Sequence, residues 1–267
     1  MKLPQDQYQQ FLQNHRVFNT DELELCCAVS GYHARNLLAK LTREQKVRRL
    51  RNRLYSVLPV NAQNDFTPPA LLVAAKLTPD AVLGYRSALA FYGMSRNLQS
   101  SHTFLSRHRI KPCRTDNAVF QPCLPAKQLK NKDDFGVEMH SAWNTPVRVV
   151  GKERLLVDLL DRLDLSGGWE EVVNAYQYED ALDWKKLVGY LKLLKHPATA
   201  ARVGFFLEQF QHSMKVPDGI LEELEALKPQ SAEHFYRGRR TGKLQKRWNL
   251  YVPEELLQSE EKNNYEF

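Results

Sequence analysis

Apolar positions along the first sixty residues change their period twice. In Gln5–His15, Tyr8, Phe11 and Leu12 fall at helical spacing and predict a first helix. Asn19 or Thr20 then supplies an N-cap ahead of the acidic pair Asp21 and Glu22, which predicts a short second helix ending near Cys27. Ser30-Gly31-Tyr32 reads as a turn and a new cap. The helix that follows gathers Leu37, Leu38 and Leu41 on one face and leaves Tyr32, His33, Arg35, Asn36 and Lys40 for the other. After Gln45 the period shortens. Val47, Leu50, Leu54 and Val57 anchor two short strands joined by a polar tip, where Asn52 is the residue best able to take the left-handed conformation of a tight hairpin. Three helices with a short second one, followed by a hairpin, is the order of a winged helix-turn-helix, expected over residues 1–60.

Asn61–Pro69, with its Asn, Asp and Pro-Pro, is the expected linker. Helices are predicted over Ala70–Lys76 and, after Gly84, over Arg86–Tyr92. From His102 to Val150 short apolar pieces alternate with prolines, the pattern of a small sheet. Leu155, Leu156, Leu159, Leu160 and Leu163 then form a helical stripe that stops at Ser166-Gly167-Gly168. Further stripes cover Trp169–Tyr178, Trp184–Leu194 and Ala198–Phe210, with Pro197 as a break or a helix start. Trp248–Val252 reads as a terminal strand and Ser259–Phe267 as a frayed tail. The expected fold class is therefore α+β: an N-terminal winged helix-turn-helix domain, then a larger mixed α/β domain over residues 61–267 with a helical C-terminal half.

Charge changes this picture more than composition does. The 267 residues carry a formal net charge of +7, with 43% hydrophobic residues, enough for real cores. Residues 1–60 hold 10 Lys and Arg against 5 Asp and Glu, residues 61–150 hold 11 against 6, and residues 151–267 hold 17 against 20. The basic excess sits in the first half, the part that a phosphate backbone would meet. The 4 cysteines have neither disulfide-framework nor zinc spacing, and no secretory leader or apolar run of membrane length is visible. A cytoplasmic, membrane-free protein is expected.

The third helix and the hairpin carry the candidate chemistry, and double-stranded DNA is the partner they fit. Arg reads guanine and Asn reads adenine through paired hydrogen bonds, so Arg35 and Asn36 are the candidate base readers, with Tyr32 and His33 at the helix start and Lys40 further along. Arg43, Lys46, Arg48, Arg49, Arg51 and Arg53 put six basic residues against Glu44 alone, a density suited to phosphates rather than to sequence choice. A solvated basic face is the bland alternative; the position of the run, directly after a helix, favours the wing. A second basic cluster, Arg237, Arg239, Arg240, Lys243, Lys246 and Arg247, reads equally well as a solubilising loop and is left outside the site.

No catalytic residue, metal ligand set or cofactor is expected. Asp158, Asp161 and Asp164 sit at spacings of three near Glu170 and Glu171, but on a helix Asp158 and Asp161 project near Arg154 and Arg162, which favours ordinary ion pairs over a cation site. Ser87 and Ser141 lack a nucleophile-elbow context, no phosphate-cradling glycine loop occurs, and the 8 His residues show no HExxH spacing. Two rival classes remain open. One is a stand-alone transcription factor whose C-terminal domain senses a ligand or a partner, and the other is a nuclease acting through the carboxylates near Asp158.

Several stretches resemble the AbiEi family of antitoxins from bacterial abortive-infection systems. They are the wing Val47-Arg48-Arg49-Leu50-Arg51-Asn52-Arg53-Leu54-Tyr55, the helix Gly84-Tyr85-Arg86-Ser87-Ala88-Leu89-Ala90-Phe91-Tyr92-Gly93-Met94, and Glu153-Arg154-Leu155-Leu156-Val157-Asp158-Leu159-Leu160. Arg202–Glu208 and the pair Arg247-Trp248 are consistent with it. The family's wing usually has Gly where this chain has Arg53, which leaves Asn52 to supply the turn. The resemblance implies a repressor of its own operon that counters a nucleotidyltransferase-like toxin without a requirement for direct contact. It implies operator repeats bound by the N-terminal domain and the toxin countered by the C-terminal one.

Overall fold

The computed structural model describes residues 5–59, 66–96, 100–115, 118–238 and 241–257. Most of the expected linker and all of the expected C-terminal tail lie outside the described residues. The chain is a mixed α+β protein, and contacts divide it into two compact units. Unit 1 takes Met1–Leu83, Gln99–Leu124 and Glu138–Val149; unit 2 takes Gly84–Leu98, Pro125–Val137 and Val150–Phe267.

Unit 1 opens with α1 (Gln5–Asn14), β1 (Val17–Asn19), α2 (Thr20–Cys26), α3 (Gly31–Arg43), β2 (Val47–Arg51) and β3 (Leu54–Val57). The strands form a sheet in the order β1-β3-β2, antiparallel throughout. Phe11, Phe18, Leu23, Leu38, Leu41 and Val47 close a core of their own, to which each of these helices contributes. Asn19 starts α2 with a full capping box: its side chain accepts from the Glu22 N–H at 2.9 Å, and the Glu22 carboxylate accepts from the Asn19 N–H at 2.9 Å. β1 has no counterpart in the apolar pattern, because three residues are too few to show an alternation.

The rest of unit 1 is α4 (Ala70–Lys76) and a six-stranded sheet that begins with β4 (Val82–Leu83). The chain then forms α5 (Tyr85–Phe91), which belongs to unit 2. It returns to the sheet with β5 (Ser101–Leu105), β6 (Cys113–Thr115), β7 (Ala118–Cys123), β8 (Val137–Ala142) and β9 (Thr145–Val150). The order is β6-β7-β5-β4-β9-β8, with β5–β7 and β4–β9 parallel. The proline-punctuated pieces from His102 to Val150 thus form one mixed sheet. Between β8 and β9, Trp143 and Asn144 both take positive φ, 52° and 60°, as a two-residue hairpin turn requires.

Unit 2 is mainly helical. Its core is built by α6 (Lys152–Asp161), α7 (Leu163–Ser166), α8 (Trp169–Tyr176), α9 (Trp184–Leu194), α10 (Pro197–Gln209) and α11 (Asp218–Ala226). The leucine stripe extends over both α6 and α7, interrupted at Arg162 and closed at Gly167 with φ +91°. Pro197 is the first residue of α10, where its missing N–H costs nothing. A small sheet of β10 (Glu233–His234), β11 (Lys243–Gln245) and β12 (Leu250–Val252), in the order β10-β12-β11, and a final α12 (Glu254–Leu257) complete the unit. Among the described residues no helix is long and apolar enough to cross a membrane.

Candidate nucleic-acid interface

The amphipathic pattern of α3 is reproduced in space. Ala34, Leu38 and Leu41 are buried, while Tyr32, His33, Arg35, Asn36, Ala39, Lys40 and Arg43 are exposed on the opposite face. At 100° per residue, Tyr32, Asn36, Lys40 and Arg43 fall on one continuous stripe. Helices α2 and α3 are joined by the four residues Cys27–Ser30, with Ala28 left-handed at φ 51° and the Val29 N–H bonded to the Glu24 carbonyl at 3.0 Å. Val29 packs against the core, which fixes the angle at which α3 leaves the turn. Leu25, at the end of α2, is 84% exposed, and Tyr32 is 66% exposed. Leu25 stands two residues after the buried Leu23, and on a helix two such positions do not share a face, so Leu25 is turned outward.

The polar side chains of this face differ in how far they are already committed. Arg35 folds back along its own helix, its Nε donating to the Gly31 carbonyl at 3.0 Å. His33 Nδ1 lies 2.8 Å from Ser30 Oγ, in the place where a serine cap would otherwise bond the backbone. Lys40 and Lys46 share Glu44, at 3.7 and 2.9 Å. The hydrogen bond from Lys46, with the charges of both lysines, holds the Glu44 carboxyl below its ordinary value. Asn36, Arg43 and Arg51 have no side-chain hydrogen bond or ion pair with any described residue. Those three are the groups most available to an external partner.

The hairpin departs from expectation at its tip. Arg53, not Asn52, takes the left-handed conformation, with φ 63°. Two contacts hold it there: the Thr20 N–H donates to the Arg53 carbonyl at 2.9 Å, and the Arg53 guanidinium pairs with Asp21. Asn52 instead accepts a hydrogen bond from Arg49 Nη2 at 3.0 Å, while Arg49 Nε donates to the Arg51 carbonyl at 3.2 Å. The turn is thus built by side-chain bonds around a strained arginine. Arg48 is half-buried opposite Ser56, and the pairing register slips between Arg49 and Arg51. The eleven candidate residues therefore lie together on α3 and the hairpin next to it, but the charge of Arg53 is partly taken up by α2.

The second basic cluster divides. Arg247 is bound to Glu208 and Glu225 at 2.7 and 3.0 Å, so it is a structural residue. Lys243 and Lys246 are exposed, and Arg239 and Arg240 lie outside the described residues. The three aspartates of α6 and α7 also separate. Asp158 is buried against Arg154 and the Tyr190 hydroxyl, at 3.2 and 2.6 Å. Asp161 accepts from His196 and Thr199 rather than from Arg162, which forks onto Asp164. Among the described residues no three His, Cys, Asp or Glu side chains are grouped to hold a metal ion.

No protein-family model and no curated protein matches this chain. Among solved structures it is similar to the crystal structure of the RV2827C protein from Mycobacterium tuberculosis, with a TM-score of 0.58 over 97% of this chain and 95% of that one. At 15% identity the likeness is one of fold.

Proposed function

We propose that the first sixty residues are a winged helix-turn-helix and that the protein is a sequence-specific DNA-binding repressor. The observation that carries this reading is the exposed stripe Tyr32, Asn36, Lys40 and Arg43 on α3, followed at once by an arginine-rich hairpin. A helix of 13 residues is about 20 Å long, and its polar face suits the major groove. In this arrangement Asn36 reads a base edge, Arg35 joins it by releasing its bond to Gly31, and Leu25 and Tyr32 offer apolar surface to thymine methyl groups. Arg43, Lys46 and the hairpin arginines meet the flanking phosphates, which position the helix without choosing sequence.

The test is a mobility-shift titration on the operator and on unrelated duplex. Asn36→Ala is expected to weaken the specific complex by about 1–3 kcal/mol and the non-specific one far less. Equal losses on both duplexes reject α3 as the reading helix.

The resemblance to AbiEi antitoxins extends the proposal to a toxin–antitoxin operon, with the chain repressing its own promoter and countering a nucleotidyltransferase-like toxin. Growth rescue by co-expression with the product of the adjacent gene tests this arm on its own. If no rescue occurs while specific DNA binding persists, the repressor reading stands and the antitoxin reading falls.

A further inference from the structure

Unit 2 holds two clefts where α6 ends, α10 begins and the chain leaves β10. Their volumes are about 650 and 390 Å³, within the ordinary range for small-molecule sites, and they share Arg202, Tyr236 and Arg237 as a common wall. Arg202 is 3% exposed. Its Nε donates to the Phe235 carbonyl at 2.7 Å and one terminal nitrogen to the His234 carbonyl at 3.3 Å, which occupies two of the five donors of a guanidinium. Among the described residues no carboxylate lies within ion-pair distance of it.

Two of the carboxylates nearby are taken; a third, the exposed Glu233 on the wall of the smaller cleft, offsets the charge of Arg202 only from a distance, as Asp161 also does. Asp161 accepts from His196 Nδ1 at 2.8 Å and Thr199 Oγ1 at 2.5 Å, and lies 3.5 Å from Arg237. Arg162 and Asp164 satisfy each other in a two-bond fork, at 2.9 and 2.8 Å. A buried cation that bonds only neutral carbonyls is costly to hold, and burial pushes the Arg202 guanidinium below its ordinary value. An anion arriving from the cleft would remove that cost.

We propose that this cleft binds a small organic phosphate of nucleotide size, its phosphate forked by Arg202 and met by the exposed Arg237, with a planar ring against Tyr236. The planar guanidinium suits phosphate oxygens in pairs, and Phe235 and Tyr236 give the larger cleft an aromatic side. Every residue involved lies in unit 2, so the proposal stands apart from the DNA-binding reading.

The experiment is isothermal titration of the full chain with AMP, GMP, CMP and UMP, with inorganic phosphate, and with adenosine. At least one monophosphate is expected to bind, inorganic phosphate to compete with it, and adenosine to bind about tenfold or more weaker than AMP, as loss of charge-assisted hydrogen bonds requires. Arg237→Ala, a change at a side chain 63% exposed whose ion pair with Asp161 adds little to stability, is expected to weaken the monophosphate about tenfold with only a small shift in the thermal midpoint of the free protein. Arg202→Lys keeps the charge and loses the fork, and weakens binding similarly. The proposal is overturned if no monophosphate binds or if adenosine binds as well as AMP. Unchanged affinity in both variants would also overturn it, as would loss of duplex affinity in Arg237→Ala with no response to any monophosphate.

Discussion

The indole of Trp248 lies on Gly204 of α10 so closely that a Cβ on residue 204 would stand 2.1 Å from its six-membered ring. Trp248 is fully buried, and its Nε1 donates to Glu208, one turn further along the same helix. The helix supplies both the flat surface that receives the ring and the acceptor that satisfies its nitrogen. A methyl group at 204 cannot be absorbed by rotation, because the atoms it meets belong to a rigid ring packed on every side. Gly204→Ala is therefore expected to destabilise the protein, even though alanine is the better helix former by about 1 kcal/mol. Overpacking of this kind costs about 1–3 kcal/mol, read as a lower urea midpoint with an unchanged slope. An unchanged or raised midpoint would show that Trp248 does not hold this position.

Arg53 makes the opposite case, a position where glycine is absent and the backbone would favour it. A non-glycine residue in the left-handed region costs about 1–3 kcal/mol, and here the Asp21 pair and the Thr20 hydrogen bond hold it in place. Arg53→Gly relieves the strain and keeps the backbone bond from Thr20. It loses only an exposed ion pair, worth about 0–1 kcal/mol. Thermal melts should find the variant as stable as the parent or slightly more so. A clear loss of stability would mean that the Arg53 guanidinium, and not the backbone, sets the turn.

How much of this was legible in the sequence depends on the distance over which each feature is encoded. The α3 face was readable because a periodicity of a few residues encodes it, and so was the hairpin from Val47 to Val57. The turn residue is not encoded locally: Arg53, and not Asn52, takes the left-handed conformation. Asn52 is intrinsically suited to the left-handed region, but the decision was taken by Thr20 and Asp21, more than thirty residues earlier. The cleft in unit 2 was invisible for the same reason, since Asp161, His196, Arg202 and Arg237 come from three separate stretches. The one available signal was His196, Thr199 and Arg202 at intervals of three on a helix started by Pro197. Helical spacing sets Asp158 and Asp161 near Arg154 and Arg162, whereas the fold gives Asp161 the side chains of His196 and Thr199.

If the hairpin arginines meet phosphates, their removal should alter salt dependence rather than sequence preference. Each phosphate neutralised contributes about 0.9 to the log–log slope of affinity against salt. Changing Arg48, Arg49 and Arg51 together to Ala should flatten that slope and lower affinity for operator and unrelated duplex alike. Arg49 also braces the turn through Asn52, so circular dichroism of the variant must match the parent for the comparison to hold. A slope unchanged in a folded variant removes the hairpin from the interface.

Asp161 links the stability of unit 2 to acid. Burial alone would raise its carboxyl, but hydrogen bonds from His196 and Thr199, aided by the charges of His196 and Arg237, outweigh this and leave it below its ordinary value of 3.8. The unfolded chain therefore takes up the proton first as pH falls. The stabilisation is complete above the ordinary value and is lost as pH falls through the lower native one. Asp161→Asn should cost about 1–3 kcal/mol at pH 7, since it weakens the acceptor for the buried Thr199 hydroxyl and the half-buried His196 ring. In urea titrations taken down through the carboxylate range, the stabilities of parent and variant should converge, because protonation removes from the parent the charge that the variant lacks. Curves that stay parallel across that range would show that Asp161 is held by packing alone, and that its bonds to His196 and Thr199 add no charge-dependent stability.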